Sequence, residues 1–550
     1  MKRSMKIMAL VLAVVMCMSL LGSCGSKTTN QGSSNSPSTN TGSNTPASTT
    51  PDAVVPTNTG DTLAPPPEVT DDVTFAEHIE YIIGDAVGII NSHSPAGDGS
   101  SHNNACRMIY DSLYYNQPNG TSTPMLATSY ETEDYETWIF HLRNDVVFHN
   151  GDKFTAKDVV FTWQHALDSP GSIAQSNWNY IIEATVVDDY TVQFKTNGPY
   201  GGLLFNLGIS VSGILNERAI TADPIEGFWI GTGAYKIAEF STSDYMKFER
   251  NEDYWGELPI TKTQTWRLVP EASARTVMLQ NGSAQLGGVT ESDLSLFSSD
   301  DNYGIHTVVS NNSMSLMMNT KDPVLSDVNF RKAVAHAINK EDIALFAMGS
   351  LGVPVTDGTI WGYETPHKNT GIDPIPYDVE LAKECLALTS YKGETIELSI
   401  MSSGDRLAQA LQEMLNEVGI KVTINIMDVP SFMVYTASTD NKAQMLTFFC
   451  MMSQNPVDTY RVNFYPLASN NKMNYDNPEV TELLDQAQSI LGDDAQKEFF
   501  YKMQDIVSAD VPAVPLYWMV GAMVYAKGIG GVVTSASAHY DFRYLYMTVE

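Results

Sequence analysis

The first 72 residues cannot join a packed core, and that decides where folding begins. Residues 1–24 read MKRSMKIMALVLAVVMCMSLLGSC. Lys2, Arg3 and Lys6 make a positive start, and Ile7 to Leu21 is an apolar run broken only by Ser19. Crossing a bilayer takes about 20 apolar residues, so this run is short for a span. A charged start, a short apolar stretch and small residues before a cleavage point mark a secretory leader, residues 1–23. From Gly25 to about Asp72 the chain is dominated by Ser, Thr, Asn, Gly and Pro. Such a stretch has no apolar periodicity and cannot bury enough surface to offset its chain entropy. Residues 24–72 therefore read as a flexible tether, with a reach on the order of 40 Å for a coil of this length.

Leu21-Gly22-Ser23-Cys24 resembles a bacterial lipobox. The resemblance implies a diacylglycerol thioether on Cys24, which becomes the new N-terminus. The expectation is an exported protein held at the outer face of the cytoplasmic membrane by lipid alone. About 478 residues remain for folding, enough for two or three domains. The formal net charge is −32, with 43% hydrophobic residues. A nucleic-acid binder or a protein adhering to anionic lipid would show a basic face, and none is apparent. Self-repulsion of this size favours a soluble monomer.

Chemistry-bearing motifs are sparse. Beyond Cys17 and Cys24 there are only Cys106, Cys385 and Cys450, widely spaced and without CxxC. One disulfide is open, but buried thiols are the simpler expectation. The ten histidines are scattered, with no HExxH, so no metal site and no cofactor are expected. No GxSxG or SxxK context supports a catalytic nucleophile, and no catalytic residue is assigned. His149, in Phe148-His-Asn-Gly-Asp152, sits at a turn and reads as structural.

The folded part alternates strand and helix patterns. Thr137–Arg143 reads as a strand, Val146–Phe154 as a strand running into an Asn-Gly-Asp turn, and Ala184–Lys195 as a hairpin around Asp188-Asp189. Thr155-Ala-Lys-Asp158 has the form of a capping box opening a helix whose apolar face is Val159, Val160, Trp163 and Leu167. Phe330–Phe346, Arg406–Val418, Val480–Leu491 and Asp494–Ala509 read as helices. Lys421–Met427 and Ala513–Met519 read as strands. This order implies an α/β fold with mixed sheets flanked by helices.

Several blocks carry a family resemblance. Pro124–Tyr130, Trp138–Arg143, Val147–Asp152 and Phe154–Val160 form one continuous region that resembles the signature of family 5 extracellular solute-binding proteins. That group comprises the oligopeptide, dipeptide and nickel binders of ABC importers. Gly231-Thr-Gly-Ala-Tyr235 resembles its GTGPY segment, with Ala234 in place of proline. Phe330–Asn339, Asn477–Val480 and Asp510–Tyr517 are similar to its later landmarks. The resemblance implies a two-lobed periplasmic-binding-protein-like fold with hinge segments and an extra subdomain in the first lobe. The first lobe then takes 73–105, 216–318 and 509–550, the subdomain 106–215 and the second lobe 319–508. It also implies a non-enzymatic capture subunit for peptides or peptide-like solutes, working with ABC permease and ATPase subunits. A sensing or chaperone lipoprotein on the same fold is the alternative, and an extracellular hydrolase a more distant one.

The departures from that family bear on the ligand. Its peptide binders carry a W-x-x-D-x-x-D/E-P stretch whose first acid meets the ligand's α-ammonium. The corresponding stretch is Phe448–Pro456, with Phe449 at the tryptophan, Met452 at the first aspartate and Asn455 at the second acid. A methionine cannot pair with an ammonium, so free peptide N-termini are expected to bind weakly unless Asp458 takes the role. Phe448, Phe449, Met451 and Met452 line an apolar pocket or form a buried strand. Gln285 stands where the family carries an acid. Asn91 and His93, near the first crossover, are further candidate ligand contacts, although a lone loop histidine is commonly solvent-exposed.

Overall fold

The computed structural model describes residues 62–63, 73–94, 100–117, 121–170, 172–358, 362–363, 367–437, 441–450, 456–490, 493–534 and 540–549. The leader, Cys24 and most of the tether lie outside these, as do Met451, Met452 and Asn455; against the expectation of a tether unpaired to residue 72, Thr62–Leu63 pairs antiparallel with Val532–Val533 through backbone hydrogen bonds.

A mixed sheet of eleven strands runs through the molecule. At one end, the hairpin Tyr235–Ser241/Tyr245–Arg250 leads to Thr263–Leu268, which lies parallel to His78–Ile83. Leu286–Gly288 follows, then the long antiparallel pair Ala513–Ala526 and Tyr303–Met318. Beyond that pair come Met445–Cys450, Ile396–Met401 and Val422–Met427. The two long strands therefore belong to both ends of the sheet. Their pairing shifts register between Val309 and Ser313 and again at Met314/Ser315. A bulge of this kind bends and twists a ladder. Ser310, Asn311, Ser313 and Ser315 are all buried at that break.

Separate apolar clusters sit on either side of the crossing. Ile79, Trp266, Phe248 and Phe542 pack at one end, and Leu316, Phe330, Leu398 and Leu411 at the other. A further cluster on the second side unites Phe448, Tyr460 and Phe500. Ile82, Val309, Leu351, Trp518 and Val524 form a smaller one at the crossing itself. A four-stranded antiparallel module, in the order Ala127–Glu131, Thr137–Leu142, Thr191–Thr196, Ile181–Asp188, is filled by Trp138, Phe140, Trp178 and Phe194. Among the described residues no helix is long and apolar enough to cross a membrane.

Most of the expected elements are present, with physical reasons for the exceptions. The capping box at Thr155 and Asp158 opens the helix Ala156–Leu167, whose buried face runs through Val159, Thr162 and Ala166 rather than Trp163 and Leu167. Val146–Phe154 has the expected Asn-Gly-Asp turn but no extended strand. It turns back on itself with a single bridge, Val147 to Lys153, because Gly151 takes φ +84°. Phe330–Phe346 is two helices, Val328–His336 and Lys340–Met348. Asn339 caps the second by accepting from the Glu341 and Asp342 amides, which breaks the first. Cys106 and Cys450 are buried free thiols, and Cys385 is half-buried and free.

Candidate functional site

The candidate residues separate into three places. Phe448 and Phe449 lie on the strand Met445–Cys450, whose partner Tyr303–Met318 pairs Met314 with Phe449 and Ser315 with Phe448. Phe448 is 9% exposed and stacks at 5.9 Å on Phe432, so it is a core residue. Phe449 is half-buried, and its carbonyl accepts from Asn470 Nδ2 at 2.9 Å. Of the two readings for this stretch, a buried strand is what the described part adopts.

Asp458 lies in the first turn of the helix Pro456–Phe464 that follows this strand. It is met by two tyrosines from the four-stranded module. Tyr180 donates its hydroxyl to Asp458 Oδ1 at 3.2 Å, and Tyr200 donates to Oδ2 at 3.0 Å. The two rings stack 4.0 Å apart at 7°. Burial raises the Asp458 carboxyl above its ordinary range, and the two hydroxyls and Arg461 pull the other way. Arg461 itself bonds to Asp485 at 2.8 Å and lies over the Tyr465 ring. Nothing in the sequence around Tyr180 or Tyr200 marked them. Only the fold brings residues 258 and 278 positions away to one carboxylate.

Asn91 and His93 form the third place. Asn91 Oδ1 accepts the His93 amide at 2.8 Å, a local turn. Against the solvent-exposed expectation for a loop histidine, His93 is 1% exposed. Its Nδ1 lies 2.9 Å from Nδ1 of His165, so one of the two must carry the hydrogen. The Ser169 hydroxyl hydrogen goes to the His165 carbonyl at 2.7 Å, leaving its oxygen as an acceptor 3.4 Å from His165 Nδ1. Burial lowers His93 to about 3, so the pair stays neutral at physiological pH. His93 ties its loop to the helix Ala156–Leu167.

His149 is structural, as expected. The Gly231 amide donates to its Nδ1 at 3.2 Å, and its Nε2 lies 3.0 Å from the Gly233 carbonyl. Burial lowers it to about 4. Gln285, at the family's acid position, accepts the Glu80 amide at 2.7 Å and holds two strands together. Among the described residues no group of three or more His, Cys, Asp or Glu could hold a metal ion.

The family profile described as bacterial extracellular solute-binding proteins, family 5 middle, matches residues 121–496. The nickel-binding periplasmic protein of Escherichia coli is 27% identical over 349 residues, 58% of this chain and 65% of that protein. The dipeptide-binding protein of the same organism is 27% identical over 339 residues, 55% of this chain and 62% of that protein. The chain thus spans a little under two thirds of the length of these relatives. The ABC-transporter-associated binding protein DppA of Helicobacter pylori, solved with the peptide STSA, superposes with a TM-score of 0.71 at 22% identity. The match covers 86% of this chain and 98% of that one.

Proposed function

Because the chain belongs to the family 5 extracellular solute-binding proteins of ABC importers, we propose that it captures peptides or peptide-like solutes between two closing lobes and delivers them to a permease. It is a binding protein, not an enzyme. The observation that carries the closing motion is the pair of long strands shared by both ends of the sheet, broken in register at Val309/Ser313. A break there is a natural hinge. The lobes are residues 73–105, 216–318 and 509–550 against 319–508, with 106–215 as the subdomain of the first. The dipeptide-binding relative and the peptide-bound structural neighbour support the ligand class. A peptide held this way pairs its backbone with strands of the cleft. Phe449, the segment that follows it to Asp458, and the Asn91–His93 loop are the proposed walls.

The lipobox-like Cys24 supports anchoring at the outer face of the membrane. Cys24→Ala is expected to move the protein out of the membrane fraction. Retention there would refute the anchor.

Met452 supports weak recognition of free peptide N-termini. A buried ammonium without a charge partner loses several kcal/mol. Calorimetry with trialanine and N-acetyl-trialanine tests this. The acetylated peptide is expected to bind at least as well. A strong preference for the free amine would contradict it and direct attention to Asp458.

A further inference from the structure

We propose that Tyr180, Tyr200 and Asp458 form a latch that holds the cleft partly closed before any ligand arrives. The proposal rests on the two-lobed reading above. The two tyrosines come from the four-stranded module and the carboxylate from the helix that follows the Met445–Cys450 strand, so this contact joins the proposed lobes.

The geometry is built for a two-donor grip. Both carboxylate oxygens are used, one by each hydroxyl, at 3.2 and 3.0 Å. Asn206 Nδ2 donates to the Tyr200 oxygen at 2.9 Å, so the Tyr200 hydrogen is free to point at Asp458. Tyr200 is 1% exposed, and its ring is stacked flat on Tyr180. The donors are therefore held in place by their own module and do not have to be ordered when the halves meet, which lowers the entropy cost of closing. On the other side, Asp458 sits in the first turn of its helix, where the dipole favours a carboxylate. Arg461, the nearest cation on that helix, is directed to Asp485. The contact is made by protein groups alone, Tyr180 and Tyr200 to Asp458, so it biases the open–closed equilibrium without any ligand contribution. Asp458 is then committed to the tyrosines and is not the ligand's ammonium partner.

The test compares the full mature chain with two variants, Tyr180→Phe/Tyr200→Phe and Asp458→Asn. The first keeps the stacked rings and removes both hydrogens. The second keeps an acceptor oxygen and removes the charge. Small-angle scattering without ligand carries the decision. The double tyrosine variant should have a larger radius of gyration than the wild type, reflecting a shift of roughly tenfold or more toward the open state. Asp458→Asn should move the same way by less. Thermal unfolding verifies that each variant is folded, and either variant alone suffices if the other is not. An unliganded radius unchanged in the folded variants overturns the latch. Trialanine and N-acetyl-trialanine serve as probes in the same series. The latch predicts that their affinity ratio is unaltered by Asp458→Asn. Selective loss of trialanine binding with an unchanged unliganded radius overturns the latch and makes Asp458 the ammonium partner. If neither peptide compacts the wild type, the peptide-binding reading fails, and the unliganded comparison still decides the latch.

Discussion

The four-stranded module with its flanking turns and the segment 445–464 differ in how their polar groups are used. In the module, the turn around His149 is spliced to Gly231–Tyr235 by three bonds: His149 N–H to the Gly231 carbonyl, Gly231 N–H to Nδ1, and Nε2 to the Gly233 carbonyl. Asp158 caps its own helix. These groups satisfy backbone, and none is left to meet a solute. In the second segment, Asp458 reaches across to side chains of another module. The strongly patterned region is thus architecture, and the region that departs from the family pattern carries the contact chemistry. Pattern is retained where backbone geometry leaves no alternative, whereas the proposed cleft wall has only to remain a wall.

The largest effect should follow a methyl added at the splice. A Cβ on Gly233 would lie 2.5 Å from the Ile109 carbonyl carbon, which is backbone and cannot move aside. Gly233→Ala is expected to cost on the order of 4 kcal/mol, read as a large fall in melting temperature. A melting temperature within a degree of the wild type would remove the architectural half of the comparison.

Next comes a buried carboxylate that Thr232 of the splice meets. Asp111 is fully buried beneath Trp255, Thr232, Tyr254 and Arg543, and desolvation raises it to about 6. A group raised above its unfolded value contributes stability below that value and loses it as pH climbs through the folded one. Wild-type stability should therefore decline between about pH 4 and pH 6 relative to Asp111→Asn, by about 3 kcal/mol. Denaturant melts across that range check it, and parallel pH profiles would contradict it.

His149→Ala should cost about 2 kcal/mol, since it leaves the buried Gly231 amide unpaired and removes one of the two donors to the Gly233 carbonyl. Asp458→Ala should cost the least, about 1 kcal/mol or less, because the segment packs through Phe448 and Tyr460 rather than through its carboxylate. A reversal of this order would mean that the segment, not the splice, carries the fold.

Legibility in the sequence followed the same division. The Thr155 capping box and the Asp188-Asp189 hairpin were both readable, because each is a local solution to a backbone requirement. The break at Ala337–Asn339 was not, since good helix formers lie on both sides of it and only the Asn339 side chain, turned back on its own helix, divides it. Ala513–Ala526 proved twice the length suggested by its apolar start, because its second half is defined by its partners in the crossing. Tyr180 and Tyr200 had no local signature, and their meeting at Asp458 depends on long-range packing. His93 was read from position alone, and its pairing with His165 appears only once the helix Ala156–Leu167 lies against its loop.

Hydrogen exchange with and without a bound peptide tests the division most directly. On saturation with a peptide whose binding has been established by calorimetry, protection should rise in residues 445–464 and around Tyr180 and Tyr200. The splice between His149 and Gly231–Tyr235 should be unchanged. Ligand-induced protection centred on that splice, with 445–464 unaffected, would contradict the account.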